Sequence, residues 1–379
     1  MSETVFRNAR MVLPHEIVVG SVKVEDGAIA AIDAGISTVG EDLDSDYLVP
    51  GLIELHTDQL ESHYRPRPGV YWNALAALQA HDVQIAGSGI TTVFDAVRIG
   101  SDPETPGGMA RHVQVLVDAI GTGMADGRLK ADHLIHLRCE LPTPDVIDDF
   151  ERFSALPLVR LASVMDHTPG QRQYQTIEKY IAYYKERMRF TDAEMDAFIA
   201  KRRVEQEQFA AHSRSEILKR GKAVGIAFAS HDDATDAQVR EAVEDGISIA
   251  EFPTTMEAAE ASHAAGLAVL MGAPNIVRGG SHSGNIAATD LAREGCLDVI
   301  SSDYVPGALL LASFMLPELA EGITLPDAIR MVTSRPAAAA KLNDRGELAP
   351  GKRGDLVRIR KHGNMPVVKG VWRQGERVA

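Results

Sequence analysis

Between Gly51 and Asp303 the chain alternates between two hydrophobic patterns. Short apolar runs of strand length recur at Gly51–Asp58, Thr91–Val97, His133–Leu141, Leu158–His167, Ala223–His231, Ile247–Pro253, Leu267–Ala273 and Leu297–Asp303. Most are separated by stretches with helical spacing, among them Trp72–Ala86, Met109–Ala125, Asp236–Asp245, Thr255–Ala265 and Thr289–Glu294. Nearly continuous apolar strands with helices between them predict a parallel sheet covered on its outer face. Eight such repeats predict a (β/α)₈ barrel. The competing architecture is a doubly wound open sheet, but no Gly-x-Gly-x-x-Gly follows the first strand.

Both ends read differently. Residues 1–49 break into short strand-like runs at Thr4–Phe6, Glu16–Val24, Ala28–Asp33 and Tyr47–Val49, punctuated by Gly20, Gly27, Gly35 and Gly40. The tail repeats that style at Asp355–Arg360 and Met365–Val371. We therefore expect a small β-sandwich domain from 1–49 and 345–379, and a barrel over 50–344. One segment breaks the rhythm: 172–221 is long, polar and helical. Thr191 and Glu194 have the spacing of a capping box that would start its second helix, and Gly221 would end it. This insertion reads as a solvated helical hairpin or an oligomer contact rather than as part of a catalytic site.

The apolar runs stop at side chains that bind metals. Alternation along the first strand puts His56 and Asp58 on one face, and along the third it aligns His136, Arg138 and Glu140. The fourth run ends at Asp166-His167, the fifth at His231-Asp232-Asp233 and the eighth at Asp303. One histidine at a strand end is more often a structural, hydrogen-bonded residue. Five strands ending this way, on the face where barrels gather their active sites, predict a metal centre. His56, Asp58, Glu140, His167, His231 and Asp303 are six candidate ligands, more than a single catalytic ion uses. They would suit two divalent ions of zinc, manganese or iron, with a coordinated hydroxide as nucleophile. Asp303 would then hold and deprotonate the water, and His231 is a ligand or a proton donor.

Charge narrows the substrate. A net charge of −14 repels nucleic acid and anionic membrane surfaces, so neither is the expected partner. Yet arginines follow many of the strand ends: Arg65, Arg67, Arg98, Arg138 and Arg172. After the seventh strand comes Arg278-Gly279-Gly280-Ser281-His282-Ser283-Gly284, where backbone N–H groups, Arg278 and His282 could face phosphate oxygens. Singly, each arginine could be a surface ion pair; together, in an acidic chain, they predict a small anionic substrate. Two cysteines, Cys139 and Cys296, make no disulfide framework, and neither a secretory leader nor a membrane-spanning run is visible. A cytoplasmic, homo-oligomeric enzyme is the expectation.

Val49-Pro50-Gly51-Leu52-Ile53-Glu54-Leu55-His56 resembles the lead-in to the first barrel strand of the amidohydrolase superfamily. Ser334-Arg335-Pro336-Ala337-Ala338-Ala339-Ala340-Lys341-Leu342 and Gly346-Glu347-Leu348-Ala349-Pro350-Gly351 resemble its return to the small β domain. The chain departs from the usual pattern in having His56-Thr57-Asp58 where most members have His-x-His, and in placing its later histidines on the fourth and fifth strands. The stretches His56-Thr57-Asp58-Gln59-Leu60-Glu61-Ser62-His63, Leu137-Arg138-Cys139-Glu140, Met165-Asp166-His167-Thr168-Pro169-Gly170-Gln171 and Ser230-His231-Asp232-Asp233 are similar to the diphosphatase family of the carbon–phosphorus lyase pathway. That resemblance implies hydrolysis of α-D-ribose 1-methylphosphonate 5-triphosphate to the 5-phosphate and diphosphate in phosphonate catabolism. The alternative within the superfamily is hydrolysis of a cyclic amide or deamination of a small substrate.

Overall fold

The protein is described here by a computed structural model, which covers residues 3–100, 109–172, 177–188, 190–281 and 284–379. Its first strands are β1 (Glu3–Val12), β2 (Ile17–Glu25), β3 (Ala28–Ala34), β4 (Glu41–Asp42) and β5 (Tyr47–Pro50). The barrel strands follow as β6 (Leu52–Thr57), β7 (Ile90–Ile99), β8 (Asp132–Glu140), β9 (Val159–Met165), β10 (Ala227–His231), β11 (Ile249–Glu251), β12 (Ala268–Gly272) and β13 (Val299–Ser301). The tail adds β14 (Leu356–His362), β15 (Met365–Arg373) and β16 (Glu376–Arg377). Each of the eight apolar runs carries one barrel strand, and these lie side by side in sequence order from β6 to β13. An isolated parallel bridge between Thr57 and Asp303 joins the first strand to the chain just beyond the last, nearly closing the barrel.

Both termini build a separate mixed sheet in the order β16-β15-β14-β5-β1-β2-β3, with β4 paired to β1. Its core is Phe6, Met11, Val22, Val24, Leu48, Leu356 and Trp372, with Phe6 edge-on to Trp372 at 4.7 Å between ring centres. Gly51, where this sheet hands over to β6, is required by close approach: a Cβ there would lie 2.1 Å from Thr91 Oγ1. At the start of β8, Asp132 accepts from Arg345 at 2.7 Å, Arg353 at 2.6 Å and Arg373 at 3.2 Å.

By its internal contacts the chain forms two compact units: Met1–Asp95 with Asp118–Leu134 and Leu270–Ala379, and Ala96–Val117 with Ile135–Val269. The second contains the insertion, as helices Ile177–Met188, Asp192–Glu205 and Ala211–Ala223 with a π turn at Gln206–Ala210. Thr191 and Glu194 form the expected capping box. Gly221 does not end the last helix, which runs on to Ala223. Gly221 is instead a packing position, where a Cβ would meet the Phe228 ring at 2.3 Å, and the left-handed turn falls at Gly225. The hairpin is also more than a solvated surface, because Tyr180, Met195 and Ile199 form a small core with Tyr184 and Phe198.

The first unit buries a charged cluster beneath the helix Ala74–Gly87. Asp95 accepts from His81 Nε2 at 2.8 Å and from His133 Nδ1 at 2.7 Å, while His133 Nε2 reaches Asp82 at 3.2 Å. Burial alone would lower the His133 pKa, but the two carboxylates outweigh it and raise it to about 9. Burial likewise opposes the Asp95 charge, which His133 holds at about 2. A histidine raised in this way stabilises the fold fully below its unfolded value of 6.5, and that contribution disappears as pH rises through 9. Thermal unfolding followed from about pH 6 to about pH 10 should show this loss. His133→Gln should flatten the profile in that window and lower stability by about 3–5 kcal/mol, since it leaves buried carboxylate charge unpaired.

Candidate metal centre

In the second unit, four strands bring imidazoles and carboxylates together at their C-terminal ends. Glu140 is the last residue of β8 and is fully buried. His167, just past β9, turns Nδ1 toward Glu140 Oε2 at 2.6 Å, and its backbone N–H donates to Oε1 at 3.1 Å. His231 ends β10 and turns its own Nδ1 toward Glu251 Oε2, at the end of β11, at 2.7 Å. An ionised carboxylate can only accept, so both histidines carry a proton on Nδ1, and Nε2 is the atom each neutral ring would offer to a cation. Both Nε2 atoms face Asp232: Oδ2 lies 3.3 Å from that of His231 and 3.8 Å from that of His167.

This arrangement fits a divalent cation on its own chemistry. One ligand atom from each of His167, His231 and Asp232 lies within 4.8 Å of the other two. Asp232 is 4% exposed, yet its Oδ2 accepts no hydrogen bond among the described residues. An acceptor buried in that state is costly unless a cation completes it. Glu140 and Glu251 stand behind the imidazoles, as carboxylates do when they fix ring orientation and raise ligand basicity. Burial works against the Glu140 charge, but His167 and Arg98 hold its carboxyl far below the usual range. At His231 burial opposes protonation, and Asp232 with Glu251 raises the pKa despite it. His56, His136 and Glu251 are also close enough to form a ligand-type group, whereas a third, His81, Asp95 and His133, is knit by hydrogen bonds between its own ligand atoms and offers no such orphaned carboxylate oxygen.

The first unit holds the remaining expected ligands where β6 meets the end of β13. His56 is buried on β6, while Asp58 and Asp303 are part-buried. β6 stops at Thr57, and Asp58 (φ −99°, ψ 13°) stands at the N-terminal boundary of the next helix without a side-chain capping bond, so strand alternation places His56 but does not reach Asp58. Glu54 is fully buried and accepts from the Ser301 hydroxyl, the Ser302 N–H and the His56 N–H. Burial raises its pKa to about 7. Asp303 (φ 54°), Asp232 (φ 56°) and Phe252 (φ 56°), each just past a strand end, are left-handed without being glycine, a strained backbone that recurs at functional sites.

The expected arginines separate. Arg172 is buried and committed to carboxylates, pairing with Asp233 and, at 3.1 Å, with Glu241. Arg65 lies over the Tyr71 ring at 5.9 Å, Arg67 and Arg278 are exposed, and Arg138 is part-buried on β8. His282 lies outside the described residues. Cys139 is buried, and its thiol pKa is pushed far up by that burial, so it is no nucleophile.

The amidohydrolase family profile matches residues 47–378. The chain belongs to the amidohydrolase family. It is 45% identical over 377 residues to the α-D-ribose 1-methylphosphonate 5-triphosphate diphosphatase of Escherichia coli (strain K12), spanning 99% of this chain and 100% of that one. Among solved structures it is similar to 5-methylcytosine deaminase from Klebsiella pneumoniae (TM-score 0.65, 15% identity, 99% of this chain and 98% of that one). It also resembles N-acetyl-D-glucosamine-6-phosphate deacetylase from Mycobacterium smegmatis (TM-score 0.62, 16% identity, 100% of both). At such identity these two establish the fold alone.

For an amidohydrolase family member, the sequence reading left out two informative residues, Glu54 and Glu251. Both are carboxylates inside apolar strand runs, the same signal that exposed His56. Because Glu251 orients His231, Glu251→Gln should weaken divalent-metal retention about 10- to 100-fold while the barrel stays folded. Metal content after dialysis, read beside circular dichroism, checks this; undiminished metal content would show that Glu251 does not act through the centre.

Proposed function

We propose that this amidohydrolase family chain hydrolyses α-D-ribose 1-methylphosphonate 5-triphosphate to the 5-phosphate and diphosphate. The observation that carries the reading is the full-length 45% identity to a diphosphatase of that substrate. The paired carboxylate–imidazole units and the arginines near the strand ends agree with it. Catalysis is assigned to the barrel, 50–344, supported by the sheet of 1–49 and 345–379.

His167, His231 and Asp232, with Glu140 behind them, would hold one divalent ion; His56, Asp58 and Asp303 would hold a second. Such ions, zinc, manganese or iron, supply Lewis-acid stabilisation of phosphoryl charge and make water more acidic. The chain's own residues do the rest. Glu140 and Glu251 fix the ring orientations of His167 and His231. Asp303 takes the proton of the water whose oxygen forms the new bond to the α-phosphorus. The bond from that phosphorus to the bridging oxygen breaks, and diphosphate leaves as an anion held by the arginines; His231, whose Nδ1 proton is turned to Glu251, would serve here as a ligand rather than as a proton donor. Arg67, Arg138 and Arg278 neutralise the polyphosphate, with Arg65 and His282 at the rim, and Arg172 positions the loop bearing Asp233. Product leaves a site whose chain repels it at long range.

Phosphorus NMR of the metal-loaded protein with this triphosphate in ¹⁸O-labelled water tests the reaction. Diphosphate should appear, with label in the ribose 5-phosphate product. Chelation should abolish turnover and added metal restore it, while replacing Arg67, Arg138 and Arg278 together by glutamine should lower kcat/KM by at least about 100-fold. Intact substrate in the presence of bound metal overturns the reading and points to a cyclic amide or a deaminated substrate.

A further inference from the structure

The insertion places an arginine against Glu140 that sequence spacing does not single out. Arg202, on the helix Asp192–Glu205, is 8% exposed. Among the described residues its one hydrogen bond is from Nη1 to Glu205 at 3.0 Å. Its Nη2 lies 3.7 Å from Glu140 Oε1, too far for a hydrogen bond. Among these residues its Nε and Nη2 make no hydrogen bond, yet neither is fully closed off, so these donors are open to an anion with several oxygens. Arg98, from β7, approaches the other oxygen of the same carboxylate, Oε2, at 2.7 Å, and is 38% exposed. One turn after Arg202, on the same helix face, Gln206 Nε2 donates to Asp166 Oδ2 at 3.3 Å, beside His167. The π turn begins there, at Gln206–Ala210, a distortion frequent at functional sites.

We propose that the insertion is the phosphate-chain specificity element of this enzyme, with Arg202 and Arg98 gripping the departing pyrophosphate from the two sides of Glu140. The inference rests on the triphosphate reading above. Arg202 then sets selectivity for a triphosphate over shorter chains, and Gln206 anchors its helix to the strand end that carries His167. The alternative role, a counter-charge for Glu140 and nothing more, requires the same charge but not the planar fork.

The test is calorimetric titration of the metal-loaded protein with inorganic pyrophosphate, beside kcat and KM for the triphosphate and its diphosphate analogue. Arg202→Met should weaken pyrophosphate binding and raise KM for the triphosphate about 10- to 100-fold, with metal content unchanged and the preference for triphosphate reduced. Arg203→Gln, which removes an exposed charge from the same helix, should change neither. Wild-type pyrophosphate affinity in Arg202→Met overturns the proposal. If that variant does not fold, Arg202→Lys decides: a counter-charge role predicts unchanged affinity and overturns the proposal, whereas the phosphate fork predicts a loss of at least about fivefold. Binding of pyrophosphate that depends on Arg202, without triphosphate hydrolysis, removes the assigned reaction and leaves the anion site standing.

Discussion

The join between β6 and the end of β13 depends on one buried carboxyl. Glu54 gathers the Ser301 hydroxyl and the Ser302 and His56 N–H groups, so the first strand and the chain leaving the last are held by a shared acceptor. Without it, Ser302 N–H would be a buried donor with no ladder partner, a loss of about 1–3 kcal/mol. The consequence is geometric. Asp303 takes a left-handed backbone immediately after this seam, and such a conformation persists only where surrounding bonds over-determine it. Raising the Glu54 pKa to about 7 is the cost of placing that acceptor where no water reaches it.

The second constraint is electrostatic. Burying Glu140 and Glu251 in an acidic chain is tolerable because each faces the Nδ1 proton of a histidine. That pairing fixes both tautomers and turns both Nε2 atoms toward Asp232. Neither imidazole could present a lone pair with the same definition if its carboxylate were absent. Stability and ligand presentation are therefore served by the same bonds, and a substitution at either glutamate acts on both.

Much of this was legible in the sequence, for identifiable reasons. Parallel barrel strands are buried on both faces, so each reads as an apolar run, and all eight were visible. The Thr191–Glu194 capping box was equally plain because it is local. The helix Ala308–Leu319 was not, since it is apolar on nearly every side and shows no amphipathic period. Gly221 misled for a different reason: a glycine near a helix end can mark a left-handed turn or a tight packing contact, and only the Phe228 ring distinguishes them. Arg172 and Arg202 show the same limit for charge. Both are buried arginines of the insertion region, but one is consumed by Asp233 and Glu241 while the other keeps idle donors.

Glu140 connects these two kinds of incomplete partner. Its Oε2 is shared by His167 and Arg98, and its Oε1 faces Arg202. On the His167 side lies Asp232 Oδ2, a buried acceptor without a hydrogen bond among the described residues; on the other lie guanidinium donors suited to an anion. A cation held by His167 would withdraw electron density from the imidazole and strengthen the Nδ1–H bond to Glu140. Glu140 would then have less negative charge to offer Arg98 and Arg202, leaving their donors more available to phosphate oxygens. By linkage, an anion on those arginines would favour the cation to the same degree. The carboxylate of Glu140 is thus the group through which a cation and the proposed anion site would be coupled.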